Sequence, residues 1–162
     1  MLLAVDCGNT NIVFALYDGD IQLANWRIST APKRSADEYL VWLAQLMGLK
    51  SLAVDDVTDM IIASVVPEVQ PNLISLASRG FGVLPQVIGR SGIDLGIDVY
   101  IDRPDQAGAD RLVNAVAARD FHDLPAIILD FGTATTFDLI GKGGAYQGGI
   151  IAPGAPGAIM PP

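Results

Sequence analysis

Cysteine occurs once, at Cys7, and histidine once, at His122, in a chain of 162 residues. A lone thiol cannot close an internal disulfide, and no His/Cys cluster accompanies it, so a structural zinc site is not expected. Basic residues are scarce as well: ten Lys+Arg stand against eighteen Asp+Glu, a formal net charge of −8. That sign opposes binding to a phosphate backbone, so no nucleic-acid partner is expected, although a local pocket can still hold a nucleotide. No stretch reaches the roughly 20 apolar residues of a membrane-spanning helix, and MLLAVDCGN carries Asp6 where a secretory leader needs a basic flank and a longer apolar run. No membrane partner is expected, and the expected location is the cytoplasm. What is present, 51% hydrophobic and 17% charged residues, suffices for a core in one domain or two small ones.

The run Leu2 to Val5 is too short for an amphipathic helix and predicts a strand buried on both faces. After a turn at Gly8-Asn9, NIVFALY restarts as a second strand. Asp18-Gly19-Asp20 supplies hairpin turn chemistry, and IQLANWRIS follows as a third strand. Ser35 and Glu38 have capping-box spacing, and Tyr39, Leu40, Leu43, Leu46 and Met47 recur at helical intervals up to Gly48. A helix is predicted over 36–47, with that stripe in the core. Residues 60–66 (MIIASVV) read as a buried strand, 68–79 as a helix closed by Gly80, and PQVIG as another short strand. Three strands followed by strand and helix in alternation describe an α/β domain with a mixed sheet.

A long loop comes next, SGIDLGIDVYIDRPDQAG, and loops of that length are uncommon unless functional. A helix is predicted from near Ala107, burying Leu112, Val113, Val116 and Ala117, with Asp110, Arg111 and Asn114 on its polar flank. Then the opening pattern returns. AIILDFG is an apolar strand ending in Asp130 and a glycine, TATTFDLI a second strand, and GAYQGGII a third after Gly141-Lys142-Gly143-Gly144. The units at Asp6 and Asp130 lie too far apart for a solenoid period. They predict two domains of like topology, residues 1–122 and 123–162, the latter only the start of its domain. A sheet without its helices would expose apolar surface, so a truncated chain or a covering partner is expected, and Pro161-Pro162 would not continue a helix.

The repeated turn suits a particular chemistry. A carboxylate at the end of a buried strand is held rigidly, glycine lets the backbone bend so that following N–H groups point at an anion, and threonine adds a hydroxyl donor. Two such turns facing each other across a cleft would offer two acids to a divalent cation and two sets of donors to a polyphosphate, as phosphoryl transfer requires. Taken singly, each is only a hairpin with Gly and Asp or Asn in its bend. Their pairing within matching strand units is what points to phosphate.

Four ordered motifs then carry a family resemblance: D-x-G-N-T at Asp6 to Thr10, G-A-D-R at Gly108 to Arg111, D-F-G-T-A-T at Asp130 to Thr135, and G-G-I-I-A-P-G from Gly148 to Gly154. Their order resembles that of type III pantothenate kinases, in the superfamily of acetate and sugar kinases, heat-shock chaperones and actin. The resemblance covers essentially the whole chain. It implies an α/β fold of ribonuclease-H-like (actin-like ATPase) domains, phosphorylation of pantothenate by ATP with Mg2+ as the first step of coenzyme A synthesis, a monovalent cation (K+ or NH4+), and a homodimer. It also implies further helices, a substrate-contacting threonine and much of the adenine pocket beyond the G-G-x-I-x-P-G motif.

On that resemblance, Asp6, Cys7, Gly8, Asn9, Thr10, Asn11, Ile12 and Val13 correspond to the first phosphate loop, with Asp6 also placed to organise Mg2+. Asp110 corresponds to the general base that takes the proton of the pantothenate hydroxyl. Gly108, Ala109, Asp110 and Arg111 correspond to substrate-binding positions, arginine suiting an anionic group through paired donors. Tyr100 resembles the aromatic that closes the substrate pocket, Asp130 the monovalent-cation ligand, and Thr133 the second ATP contact.

Each residue also has an ordinary structural reading. Asp110 would serve as a first-turn acid at the positive end of a helix, Arg111 as a surface charge, Tyr100 as a half-buried loop aromatic and Asp130 as a cap of its own turn. Cys7 reads as a small core filler rather than a nucleophile, and His122 as a residue just past a helix with no role. Three other functions fit parts of the pattern: a regulatory protein of the same fold, a nuclease of ribonuclease-H type using two metals, and a non-catalytic nucleotide-binding module. The retained Asp110 argues against the first, and the acidic charge and hydroxyl-bearing turns argue against the second.

Overall fold

A computed structural model describes residues 1–89 and 93–154; the terminal Pro161-Pro162 lies outside the described residues. The chain divides into two compact units, Met1–Ile93 and Asp94–Pro162.

The first unit holds strands β1 (Leu2–Cys7), β2 (Asn11–Asp18), β3 (Ile21–Ser29), β4 (Asp59–Ser64) and β5 (Gln86–Val87), with helices α1 (Ala36–Gly48) and α2 (Gln70–Ser75). The sheet order is β3-β2-β1-β4-β5. β1 to β3 form the expected antiparallel meander, whereas β4 lies parallel to β1 and β5 parallel to β4, giving the expected mixed sheet. β1 is not buried on both faces, however. Leu3, Val5 and Cys7 are buried while Leu2 and Asp6 are exposed, because one face of the sheet packs into the core and the apolar run serves that face alone.

α1 starts as its sequence dictates. The Ser35 side chain accepts from the Glu38 N–H at 3.3 Å, and the Glu38 carboxylate accepts from the Ser35 N–H at 2.7 Å. Tyr39, Leu43 and Met47 then recur every four residues and are buried, with the Phe14 ring 5.9 Å from Tyr39 and 5.8 Å from Trp42. The second helix differs from expectation. α2 widens into a π-helical turn at Leu76–Phe81 and ends at Gly82, whose φ of +71° is the left-handed stop, not at Gly80. Gly80 is a packing glycine: a Cβ there would sit 3.2 Å from side-chain atoms of Leu40 and Leu76.

The second unit holds α3 (Ala109–Phe121) and a three-stranded antiparallel sheet in the order β6 (Ala126–Phe131), β7 (Ala134–Ile140) and β8 (Tyr146–Pro153). This is the predicted repeat of the opening meander. The loop before α3 is pinned rather than loose: the Val99 segment bridges to Tyr146, and Arg119 Nη1 donates to the Gly96 carbonyl at 2.6 Å. Leu112, Ala115 and Ala118 of α3 pack with Ile140 and Tyr146. The predicted apolar face is therefore rotated. Val113 and Ala117 are exposed and Val116 only half-buried, because the stripe that meets the sheet is Leu112, Ala115 and Ala118. These contacts group α3 with the second sheet, so the spatial division falls at Ile93, upstream of the 122/123 boundary drawn from the repeat.

The opposite face of the second sheet is apolar and exposed. Ile127 pairs with Leu139, Leu129 with Phe137 and Phe137 with Ile150, and directly opposed residues share a face. Ile127 is 64% exposed and Ile150 66%. An exposed apolar patch of this kind is characteristic of a surface that meets another partner. No helix among the described residues is long and apolar enough to cross a membrane.

Candidate functional site

The first acidic turn joins β1 to β2. Asp6 is exposed at the end of β1, and the Gly8 N–H closes the bend by donating to the Asn11 carbonyl at 3.0 Å. Thr30, just past the end of β3, braces it, its hydroxyl donating to the Gly8 carbonyl at 2.7 Å and its N–H to the Thr10 carbonyl at 2.9 Å. Cys7 and Ile12 are fully buried, so their side chains belong to the core. Burial pushes the Cys7 thiol up, which suits a filler rather than a nucleophile.

The second turn repeats this construction. Asp130 is exposed on β6, and the Gly132 N–H donates to the Ala134 carbonyl at 2.9 Å. In both bends the glycine N–H is used to close the turn, so backbone donors to an anion must come from the residues that follow.

Gly108-Ala109-Asp110-Arg111 forms the first turn of α3. Gly108 is the residue before the helix, and a Cβ on it would stand 2.5 Å from Asp110 Oδ1, so the glycine makes room for that carboxylate. Asp110 Oδ1 accepts from the Arg111 N–H at 2.8 Å. Arg111 is not a surface charge. Its Nε donates to Asp138 Oδ1 at 2.7 Å, and Nη2 lies 2.5 Å from the same oxygen with its side chain only 14% exposed.

Asp138 lies in the middle of β7, fully buried, and also accepts from the Tyr146 hydroxyl at 2.7 Å. The Arg111 guanidinium carbon stands 5.8 Å from the centre of the Tyr146 ring. Burial first, and then the bond to Asp138, push the Tyr146 phenol up to about 12. Tyr100 joins the same network through backbone: its N–H donates to the Tyr146 carbonyl at 2.8 Å, and the Tyr146 N–H to the Asp98 carbonyl at 2.9 Å. The Tyr100 ring itself is exposed, its hydroxyl 3.2 Å from Asp98 Oδ2. Four expected substrate positions, Tyr100, Gly108, Asp110 and Arg111, are thus linked within one unit.

Sequence reasoning missed the residues that link them: Asp138, Tyr146 and Gly149. A Cβ on Gly149 would meet Arg111 Nη2 at 2.5 Å, Asp138 Oδ1 at 2.6 Å and the Phe137 carbonyl still closer. The available signal was Asp138 itself. An acid within the apolar strand TTFDLI must be paired if that face is buried.

A family model described as Type III pantothenate kinase matches residues 2–159. The chain belongs to the type III pantothenate kinase family. It is 54% identical over 154 residues to the type III pantothenate kinase of Rhodospirillum rubrum and 53% identical to that of Maricaulis maris, in each case over 95% of this chain and 60% of the relative. The chain therefore spans about 60% of the length of those type III pantothenate kinases. Among solved structures, the ethanolamine utilization protein EutJ from Carboxydothermus hydrogenoformans superposes with a TM-score of 0.53 at 15% identity, covering 95% of this chain and 52% of that one. That likeness speaks to the fold alone. With the sheet order β3-β2-β1-β4-β5, it agrees with the ribonuclease-H-like, actin-like ATPase architecture expected from the sequence.

A type III pantothenate kinase implies a nucleotide and its divalent ion. Among the described residues no three of His, Cys, Asp and Glu gather into a metal cage. Mg2+ that arrives on a nucleotide needs only one or two protein carboxylates, the rest of its shell being water and phosphate, so single acids such as Asp6 at a strand end fit it.

Proposed function

We propose that the chain serves the ATP-dependent phosphorylation of pantothenate to 4'-phosphopantothenate, the first step of coenzyme A biosynthesis. The observation that carries this reading is the placement of Asp110 beside Arg111, on a helix turn that glycine opens for the carboxylate. Asp110 takes the proton from the pantothenate primary hydroxyl as its oxygen attacks the γ-phosphorus; ADP leaves as the Pγ–O bond to the β-phosphate breaks. Arg111 holds the pantothenate carboxylate and Tyr100 covers the bound substrate, with Gly108 and Ala109 lining it.

Asp6 to Val13 and Thr133 handle the phosphates of ATP, the side chains of Cys7 and Ile12 contributing only as packing beneath the loop. Asp6 is the proposed carboxylate for Mg2+, which when bound offsets charge on the phosphates. Asp130 is the proposed ligand for a monovalent cation, K+ or NH4+. The reading extends to a cytoplasmic homodimer with no nucleic-acid or membrane partner. It also extends to two ribonuclease-H-like domains, 1–122 and the start of a second at 123–162. Support for the latter comes from the recurrence of strand, glycine turn and strand in both units.

The test is ADP release from ATP on adding pantothenate, in protein carrying this sequence at the family's full length. Stoichiometric ADP and phosphopantothenate are expected. ATP consumption that ignores pantothenate would favour the nucleotide-binding reading, and cleavage of an RNA–DNA hybrid the nuclease.

A further inference from the structure

We infer that Asp138, with Tyr146, is a positioning residue that aims Arg111 at the carboxylate of the substrate; the inference rests on the pantothenate reading above. A structural arginine–carboxylate pair usually meets fork to fork, each nitrogen taking its own oxygen. Here Nε and Nη2 converge on Asp138 Oδ1, the oxygen that also accepts from Tyr146, while Oδ2 is buried without a hydrogen-bond partner. The guanidinium is thereby held along its Nε edge.

Arg111 Nη2 is close to Oδ1 but donates to no acceptor, and among the described residues the guanidinium makes no other hydrogen bond. Nη2 is buried beside Asp138, and Nη1, which bonds nothing among the described residues, is the donor left for a carboxylate to reach. The Tyr146 ring beneath the cation limits its swing, and the absence of a Cβ at Gly149 leaves space for Nη2. Asp138 from β7 and Tyr146 from β8 fix one orientation of Arg111, which lies next to Asp110. An arginine held in advance loses less freedom when the ligand binds.

The experiment measures equilibrium binding of pantothenate and of its neutral alcohol analogue, in which CH2OH replaces the carboxylate. It compares wild type with Asp138→Asn, Arg111→Lys and Tyr146→Phe, and follows the Arg111 Nε–H resonance by 15N NMR. Asp138→Asn and Arg111→Lys are expected to weaken pantothenate binding by about tenfold or more while leaving the alcohol within about twofold. Tyr146→Phe, which keeps the ring and the fold, loses less. The Nε–H signal exchanges slowly in wild type and fast in Asp138→Asn. Equal losses for both ligands, or undiminished pantothenate affinity in the variants, would overturn the inference and leave the kinase reading standing. A wild-type protein that binds neither ligand would overturn the reading itself, and the inference with it.

Discussion

Arg111 on the first turn of α3 donates through Nε to Asp138 in the middle of β7, across 2.7 Å. This pair joins the helix that carries Asp110 to the sheet that carries the second acidic turn, and Tyr146 locks it from β8 through a 2.7 Å bond to the same carboxylate oxygen. A buried charge pair of this kind is costly to break from one side, because the surviving charge is left unpaired.

The space around that pair depends on Gly149. Gly149→Ala places a methyl group against the Phe137 carbonyl, Arg111 Nη2 and Asp138 Oδ1. Thermal or denaturant unfolding should show a loss of about 1–3 kcal/mol, typical of overpacking. Unchanged stability would mean that β8 does not approach β7 this closely.

Tyr146 makes stability depend on alkaline pH. Its phenol is raised to about 12 in the folded chain, from an ordinary value near 10. The protonated form is the one favoured by folding, so its contribution is complete below pH 10 and is lost as pH rises toward 12. Tyr39 is also pushed up by burial, so the Tyr146 share is the difference between wild type and Tyr146→Phe in unfolding measured across that window. Identical pH profiles for the two proteins would remove it.

Asp110→Asn keeps the shape of the side chain and removes the base. Pantothenate-dependent ADP release should fall by about 10²-fold or more, with the circular dichroism spectrum and melting curve unchanged. Near-normal turnover would take Asp110 out of the role of base and leave it a first-turn acid.

The apolar face of the second sheet should drive self-association of the chain. Sedimentation at micromolar concentration is expected to show associated species, shifted toward monomer by Leu129→Glu together with Ile150→Lys, both on that exposed face. A stable, monodisperse wild-type monomer would contradict this.

Much of the fold was legible because its signals are local. The Ser35–Glu38 capping box, the Asp18-Gly19-Asp20 turn and the repeated strand-turn-strand units each act over a few residues, and each sits where it was read. What failed depended on which surface is covered. Val113, Val116 and Ala117 make as good an apolar stripe on α3 as Leu112, Ala115 and Ala118, and only the packing against Ile140 and Tyr146 selects between them. β1 reads as doubly buried because an apolar run records what a strand tolerates, not what covers it. Gly80 and Gly82 are two residues apart, and the left-handed φ that distinguishes stop from packing contact has no counterpart in composition. Gly108, Asp110 and Arg111 stand in one string, G-A-D-R, and a local string of that kind stays together at the start of a helix. Asp138 was passed over because its partner lies 27 residues away on another element.

The central proposal is that each acidic turn, and the start of α3, takes part in handling the nucleotide and its acceptor. Paramagnetic broadening of backbone amide signals by Mn2+·ATP, recorded with pantothenate present, tests it most directly. One equivalent should broaden Gly8 to Thr10, Gly132 and Thr133, and Asp110 together, and excess Mg2+·ATP should restore all of them. Broadening confined to one of the three groups, or unaffected by Mg2+·ATP, would contradict the account.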